Sequence, residues 1–135
     1  MSEYYLKTPS NVYGGKDCLK NIVGILNSED VSNILIFTDK NIRNTGLVDR
    51  LTQYIPDVIK YQVIDSLVAE PSYIDVNHVI EKSKVYSADV IIAIGGGSVI
   101  DVAKLYTVLH GADYTIEDLI NRPEIATKSL TSIII

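Results

Sequence analysis

The chain is most informative at Ala93-Ile94-Gly95-Gly96-Gly97-Ser98, where three consecutive glycines join an apolar strand to a helix. Glycine has no Cβ atom, so the backbone of such a turn can approach a ligand closely. The first N–H groups of the following helix lack partners within the helix and carry the positive end of its dipole. The stretch therefore predicts an anion site, with pyrophosphate at the carboxyl edge of a parallel sheet as the expected ligand.

A second interpretation of the same stretch needs no ligand. Ser98 would be the N-cap of the helix, and Asp101, three residues later, would complete a capping box. The spacing also differs from the ordinary dinucleotide fingerprint, in which GxGxxG follows the first strand and an acid comes downstream. Here the candidate acid, Asp39, precedes the glycines. Both would still emerge at the same edge of a doubly wound sheet.

Four segments rich in β-branched residues predict strands. They are Ile34–Thr38, Val58–Ile64, Val90–Ile94 and Ser132–Ile135. Each of the first three is followed by apolar residues at helical spacing, and continuous apolar runs are typical of parallel strands covered on both faces. Ser72 and Thr115 each precede an Asp by three residues, the arrangement of a capping box at a helix start. The pattern predicts an α/β fold with a doubly wound, mainly parallel, Rossmann-like sheet.

The N-terminal residues differ from the rest of the chain. Tyr4–Lys7 and Val12–Tyr13 are predicted strands of an arm antiparallel to the main sheet, followed by a helix near Asp17–Leu26. No repeat or linker divides the chain, so we expect a single domain over residues 1–135. The apolar segment Ile133-Ile134-Ile135 stops without a polar tail, which indicates a truncated domain.

Composition and charge argue against several classes of function. The 135 residues are 47% apolar, enough for one domain with a real core. The net charge is −5 and Lys and Arg form no run, so nucleic acid is not an expected partner. Val90–Ile94, the longest apolar run, is too short to cross a bilayer, and no signal segment opens the chain. A single cysteine, Cys18, fits a reducing compartment, and we expect a cytoplasmic protein.

The two histidines do not predict a metal site. His78 lies in the middle of one predicted helix and His110 at the end of another, far apart in the chain and without acids or cysteines at ligand spacing. His110 instead suits the negative end of its helix. The sequence thus predicts no metal ligands in this chain.

The stretch Gly95–Lys104 resembles the GGGSxxDxAK signature of the iron-containing alcohol dehydrogenases. Tyr13-Gly14 is similar to the early turn of that family, and Thr38-Asp39 to its strand-end acid. The loop Asp65–Pro71 resembles its Asp-x-x-x-x-x-Pro loop, although Glu70 stands where many members carry Asn. The resemblance covers the whole chain and implies the N-terminal domain of a dehydroquinate synthase-like fold.

The resemblance also implies a cofactor and its contacts. NAD would bind with its pyrophosphate at Gly95, Gly96, Gly97 and Ser98, its adenosine ribose beside Asp39, and the loop supported from the helix by Asp101 and Lys104. In the family a Thr-rich loop and an all-helical domain follow, and that domain supplies one Asp and three His to iron or zinc. Neither is present, so this chain alone is expected to be inactive. The parent enzyme would transfer hydride between a small primary alcohol or aldehyde and NAD, and would form a homodimer through the N-terminal arm.

Alternatives stay open for both the function and Asp39. Glycerol-1-phosphate dehydrogenase and 3-dehydroquinate synthase resemble this scaffold and bind NAD through a similar loop, although Ser98 with Ala103-Lys104 favours the alcohol dehydrogenases. A stand-alone nucleotide-binding module is compatible with the fold, although the abrupt end at Ile135 argues against it. Asp39 either accepts hydrogen bonds from ribose hydroxyls, which favours NAD over NADP, or caps the turn that begins at Lys40.

Overall fold

The computed structural model describes residues 11–28, 30–127 and 130–135. Four strands form one sheet in the order β2-β1-β3-β4, and every neighbouring pair is parallel. They are β1 (Asn33–Phe37), β2 (Lys60–Ile64), β3 (Val90–Ala93) and β4 (Thr131–Ile134). All four predicted strands are present with small shifts of their ends, which confirms the parallel α/β fold.

Helices connect and cover these strands. In chain order they are α1 (Ile22–Ser28), α2 (Lys40–Asn44), α3 (Leu47–Thr52), α4 (Tyr73–Ser83), α5 (Gly97–Leu109) and α6 (Ile116–Asn121), with 3-10 turns at Cys18–Asn21 and Pro123–Ile125. As predicted, Ser72 and Thr115 each cap a helix through a complete capping box. These two caps fix the starts of α4 and α6.

The two faces of the sheet bury two separate cores. Successive side chains of a strand point to opposite faces. Leu35 and Phe37 of β1 therefore pack with α4, α5 and α6, whereas Ile34 and Ile36 pack with α1 and α3. All four side chains are buried. The predicted coverage of both faces is confirmed.

The connections diverge between β1 and β3. From β1 the chain passes through α2 and α3 to β2, and from β3 it passes through α5 and α6 to β4 on the other side. Because crossovers between parallel strands are right-handed, opposite directions of travel place α3 and α5 on opposite faces. The carboxyl ends of β1 and β3 therefore open into a crevice, where doubly wound sheets bind their ligands.

A carboxylate links the two central strands at their amino ends, opposite the crevice. Asp89, just before β3, accepts hydrogen bonds on Oδ2 from the backbone N–H groups of Ser32 and Asn33, at 2.8 and 2.9 Å. These bonds join the starts of β1 and β3 across segments far apart in the chain. The two central strands are thus held together at their amino ends while their carboxyl ends separate.

The N-terminal prediction is only partly testable. Tyr4–Lys7 lies outside the described residues. Val12–Tyr13, predicted as a strand, belongs to none, and the two side chains are 83% and 50% exposed. A strand exists only where its backbone groups find a neighbouring ladder, and the described residues provide none here. The predicted helix near Asp17–Leu26 begins as a 3-10 turn, and the residue before that turn, Asp17, has a left-handed backbone with φ of 62°.

Glu70, in the loop between β2 and α4, also has a left-handed backbone, with φ of 47°. Residues with a Cβ atom are strained there by about 1–2 kcal/mol, and Asn tolerates the region better than Glu does. We expect Glu70→Asn to raise the free energy of unfolding by about 0.5–1 kcal/mol in urea denaturation. The matched control is Glu124→Asn, which removes the same charge without a positive φ. Equal changes in the free energy of unfolding for the two substitutions would show that the backbone of Glu70 is not strained.

Two helix caps give the stability a defined pH dependence. The backbone N–H of Ser72 donates to Asp75 Oδ2 at 2.8 Å, and that of Thr115 donates to Asp118 Oδ2 at 2.9 Å. These backbone bonds, followed by those with the Ser72 and Thr115 hydroxyls, lower the pKa of both carboxyls. The carboxylates are therefore stabilised by the folded state relative to the unfolded chain.

A lowered folded-state pKa contributes stability that is complete above the unfolded value, about 3.9 for Asp, and is lost as the pH falls through the folded-state value. We expect the free energy of unfolding to decline below about pH 4, and to decline less steeply in the double variant Asp75→Asn/Asp118→Asn. Urea titrations between neutral and acidic pH measure this. The control is Asp57→Asn in the exposed turn after α3, which removes a carboxyl outside both capping boxes. A double variant with the wild-type slope would refute the assignment.

Candidate functional site

The crevice at the carboxyl edge is formed by the residues that follow β1 and β3. The last backbone bond between these strands runs from the N–H of Ile94 to the carbonyl of Phe37, at 2.9 Å. Beyond it, the buried hydroxyl of Thr38 donates to the carbonyl of Ile94 at 2.8 Å. A side chain thus takes the place of the next rung of the ladder, and the two backbones separate from this point.

The three glycines have different roles in the protein. Gly95 has φ of +152°, and a Cβ atom added to it would lie 3.0 Å from Val99 Cγ2. The fold therefore requires glycine there. Gly96 has φ of −81°, and a Cβ atom added to Gly96 or Gly97 meets nothing within 4 Å. Both are exposed at the crevice. Their missing side chains leave space that the protein itself does not fill.

The start of α5 corrects one interpretation of the sequence. The helix begins at Gly97 with Gly96 as N-cap, and no side chain caps it. The capping box of Ser98 and Asp101 is therefore wrong, because Ser98 already lies inside the first turn with helical geometry. No acidic residue occupies that turn. Its N–H groups and the positive end of the helix dipole therefore face the crevice, a geometry suited to an anion.

A groove of about 360 Å³ lies between α4 and α5, beside the first turn of α5. Ser98 and Asp101 line it from α5, and Glu70 and Pro71 line it from the loop after β2. Lys104 lies one turn farther along α5, exposed, and is not among the lining residues. The structure thus brings Ser98 and Asp101 together beside the glycine turn. The supporting role of Lys104 stays a prediction.

Asp39 caps the turn that follows it, which is the second of the two roles predicted from the sequence. It is the N-cap of α2, and its Oδ1 accepts a hydrogen bond from the N–H of Ile42 at 2.8 Å. An ionised carboxylate has about four acceptor positions on its two oxygens. Capping α2 is therefore compatible with hydrogen bonds to ribose hydroxyls, and the ribose contact stays a prediction.

The loop after β2 packs beside Asp39. A backbone bridge pairs Asp39 with Ser66, and Arg43 Nη1 lies 2.7 Å from Asp65 Oδ2. Both members of this ion pair are partly exposed. The pair joins α2 to the Asp65–Pro71 loop and so fixes the rim of the crevice on the β2 side. Sequence reasoning missed this pair because the partners come from different connections.

A second cavity, of about 200 Å³, lies between α4, the end of α5 and α6. Its lining includes Tyr73, Lys84 and Glu117, and the Tyr73 hydroxyl lies 3.3 Å from Glu117 Oε1. Desolvation, and then the Glu117 carboxylate, raises the pKa of Tyr73. The cavity has neither a glycine turn nor an uncapped helix start, so we place the candidate site at the crevice.

The metal prediction concerns the histidines. His78 is exposed on α4, and His110 follows α5 with its ring 5.6 Å from that of Tyr106. In the described ranges no three His, Cys, Asp or Glu side chains form a group that could hold a metal ion. Within the same ranges, no helix has the length and apolar character needed to cross a membrane.

Known proteins are similar to this chain in sequence. The chain is 39% identical to an alcohol dehydrogenase of Thermococcus barophilus over 82 residues, which are 60% of this chain and 22% of that protein. It is 30% identical to alcohol dehydrogenase 4 of Schizosaccharomyces pombe over 131 residues, 93% of this chain and 31% of that protein. The chain therefore spans less than a third of the length of either relative.

Solved structures agree on the fold. The crystal structure of sulfoacetaldehyde reductase from Bifidobacterium kashiwanohense in complex with NAD+ matches 99% of this chain and 36% of its own, with a TM-score of 0.82 and 21% identity. The family model of the iron-containing alcohol dehydrogenases matches residues 9–135. On that match, which includes the whole described fold, the chain belongs to the iron-containing alcohol dehydrogenase family.

Proposed function

We propose that this chain is the NAD-binding portion of a metal-dependent alcohol dehydrogenase that transfers hydride between a small primary alcohol or aldehyde and NAD. The observation that carries the proposal is the pair Gly96 and Gly97, whose missing side chains leave open space at the uncapped start of α5. Membership of the family and the NAD+ complex of a structural relative support it.

The crevice suits a dinucleotide in three respects. The N–H groups of the first turn of α5 favour the pyrophosphate, because they lack helical partners and carry partial positive charge. We place the adenosine ribose at Asp39, across the crevice from Gly96. Ser98 and Asp101 border the groove in which the ligand continues. When bound, NAD supplies the hydride acceptor, and the residues of this chain hold and orient it.

The described residues contain no group of side chains that could hold iron or zinc. We therefore assign no step at a metal to them. We propose that an all-helical domain of the parent enzyme holds the metal and the alcohol, that residues 1–135 form one truncated domain, and that this domain alone does not turn over substrate.

The assembly and location of the parent enzyme are part of the same proposal. We propose a homodimer that pairs through the N-terminal arm, Tyr4–Tyr13, and a cytoplasmic location. The single cysteine supports a reducing compartment. The acidic net charge of −5 argues against nucleic acid as a partner.

The first test places a side chain in the open space at Gly96. Because Gly96 has a negative φ and an added Cβ atom meets nothing, Gly96→Val should fold. Its side chain would occupy the approach of the pyrophosphate, so we expect the affinity for NAD to fall at least tenfold, about 1.4 kcal/mol. Calorimetric titration of the 135-residue chain with NAD measures this.

The matched control is Gly24→Val, at an exposed glycine of α1 where an added Cβ atom also meets nothing. It should keep the wild-type affinity. Failure of the wild-type chain to bind NAD would refute the proposed function. Unchanged affinity in a folded Gly96→Val protein would show that the cofactor does not lie over this glycine.

The second test concerns the choice between NAD and NADP. The 2′-phosphate of NADP would bring like charge towards Asp39, and two unit charges 4 Å apart at an effective dielectric constant of 20 interact by about 4 kcal/mol before screening. We expect Asp39→Asn to raise the ratio of NADP to NAD affinity by about tenfold, since screening at a partly exposed site removes most of that energy.

Asn caps helices as well as Asp does, so Asp39→Asn separates the charge from the cap of α2. Asp39→Gly removes both and should show the same change of ratio with a slightly lower stability. Lys40→Gln is the second control, because the adjacent cation would attract a phosphate. An NADP to NAD ratio that Asp39→Asn leaves unchanged would exclude Asp39 as the selector.

A further inference from the structure

We propose that Thr38 is a positioning residue for the cofactor: by holding the carbonyl of Ile94, its buried hydroxyl fixes the orientation of the glycine turn that receives the pyrophosphate. This inference rests on the proposed function. Thr38 is 1% exposed, and its Oγ1 donates to Ile94 O at 2.8 Å. It contacts the turn from β1, while the turn itself follows β3.

The geometry of the peptide bond makes this contact effective. The carbonyl of Ile94 and the N–H of Gly95 belong to one planar unit, and the described residues contain no cis peptide bond. In a trans unit the C=O and N–H point in opposite directions. Fixing the Ile94 oxygen against β1 therefore fixes the plane from which Gly95 departs, with its φ of +152°.

Glycine needs this external restraint more than other residues do. Gly95, Gly96 and Gly97 have a wide choice of backbone angles, and an unrestrained turn would sample many orientations. Below the turn, Val99 packs against Gly95, which restrains one side of it. Thr38 adds a second restraint at the point where the backbone ladder between β1 and β3 has ended. The two contacts together hold the N–H groups at the start of α5 in one arrangement.

Valine in place of Thr38 keeps the shape and removes the donor. The Ile94 carbonyl would then be buried without this bond, at a cost of about 1–3 kcal/mol in stability. If Thr38 had only a structural role, this loss of stability would be the only effect of the substitution. A positioning role also predicts that the turn becomes more mobile, so that binding NAD must order it and the affinity falls.

The control is Thr107→Val. Thr107 is also 1% exposed, and its hydroxyl donates to the carbonyl of Lys104 at 2.6 Å within α5, away from the glycines. It therefore loses a buried hydroxyl without affecting the turn. Thr38→Ser retains the donor and should restore both the binding and the order of the turn.

The experiment compares the 135-residue chain with Thr38→Val, Thr38→Ser and Thr107→Val at a temperature where each is folded. Calorimetry measures NAD affinity, and NMR order parameters of the backbone N–H groups without ligand measure the order of Gly95–Ser98. We expect Thr38→Val to bind NAD at least fivefold more weakly than Thr107→Val does and to lower these order parameters, with Thr38→Ser near wild type. If Thr38→Val unfolds, Thr38→Cys, with a weak S–H donor, replaces it.

Wild-type affinity in folded Thr38→Val, or an equal loss in Thr107→Val, would overturn the positioning role. An absence of NAD binding by the wild-type chain would instead refute the proposed function, and this inference with it. The order parameters of the glycine N–H groups separate the two failures, because they report the restraint on the turn whether or not NAD binds.

Discussion

The handedness of the crossovers is the constraint on which the rest of this molecule depends. Because β2 lies beside β1 and β4 lies beside β3, the connections that follow β1 and β3 must travel in opposite directions and cover opposite faces. Two backbones that are paired along their strands are therefore forced apart at Thr38 and Ile94. The crevice is a consequence of topology, and the residues on its rim determine its chemistry.

On the rim of the crevice, the glycine that the fold requires differs from the glycines that a ligand would contact. Gly95 is glycine because of its positive φ and its contact with Val99. Gly96 and Gly97 have no such reason within the protein, since a side chain on either would enter open space. Helices α4 and α6 satisfy their own first N–H groups through capping boxes, whereas α5 does not. The first N–H groups of α5 are thus left available to a ligand.

The sequence predicted what depends on local pattern. Continuous β-branched runs identified the strands, and three-residue spacings identified the caps at Ser72 and Thr115. It did not predict contacts between distant segments: the bond from Thr38 to Ile94 joins residues 56 positions apart. Nor did it place the start of α5 at Gly97, because glycine leaves the backbone angles undetermined. For Asp39 the sequence allows both roles, and the structure shows that it caps α2.

A crystal structure of this chain grown with NAD tests the assignment of the crevice most directly. We predict that the pyrophosphate lies about 2.9 Å from the N–H groups of the first turn of α5, over Gly96 and Gly97, with the adenosine ribose on the Asp39 side. A pyrophosphate bound elsewhere on the chain, or lying across the glycines without contact to the start of α5, would contradict this assignment.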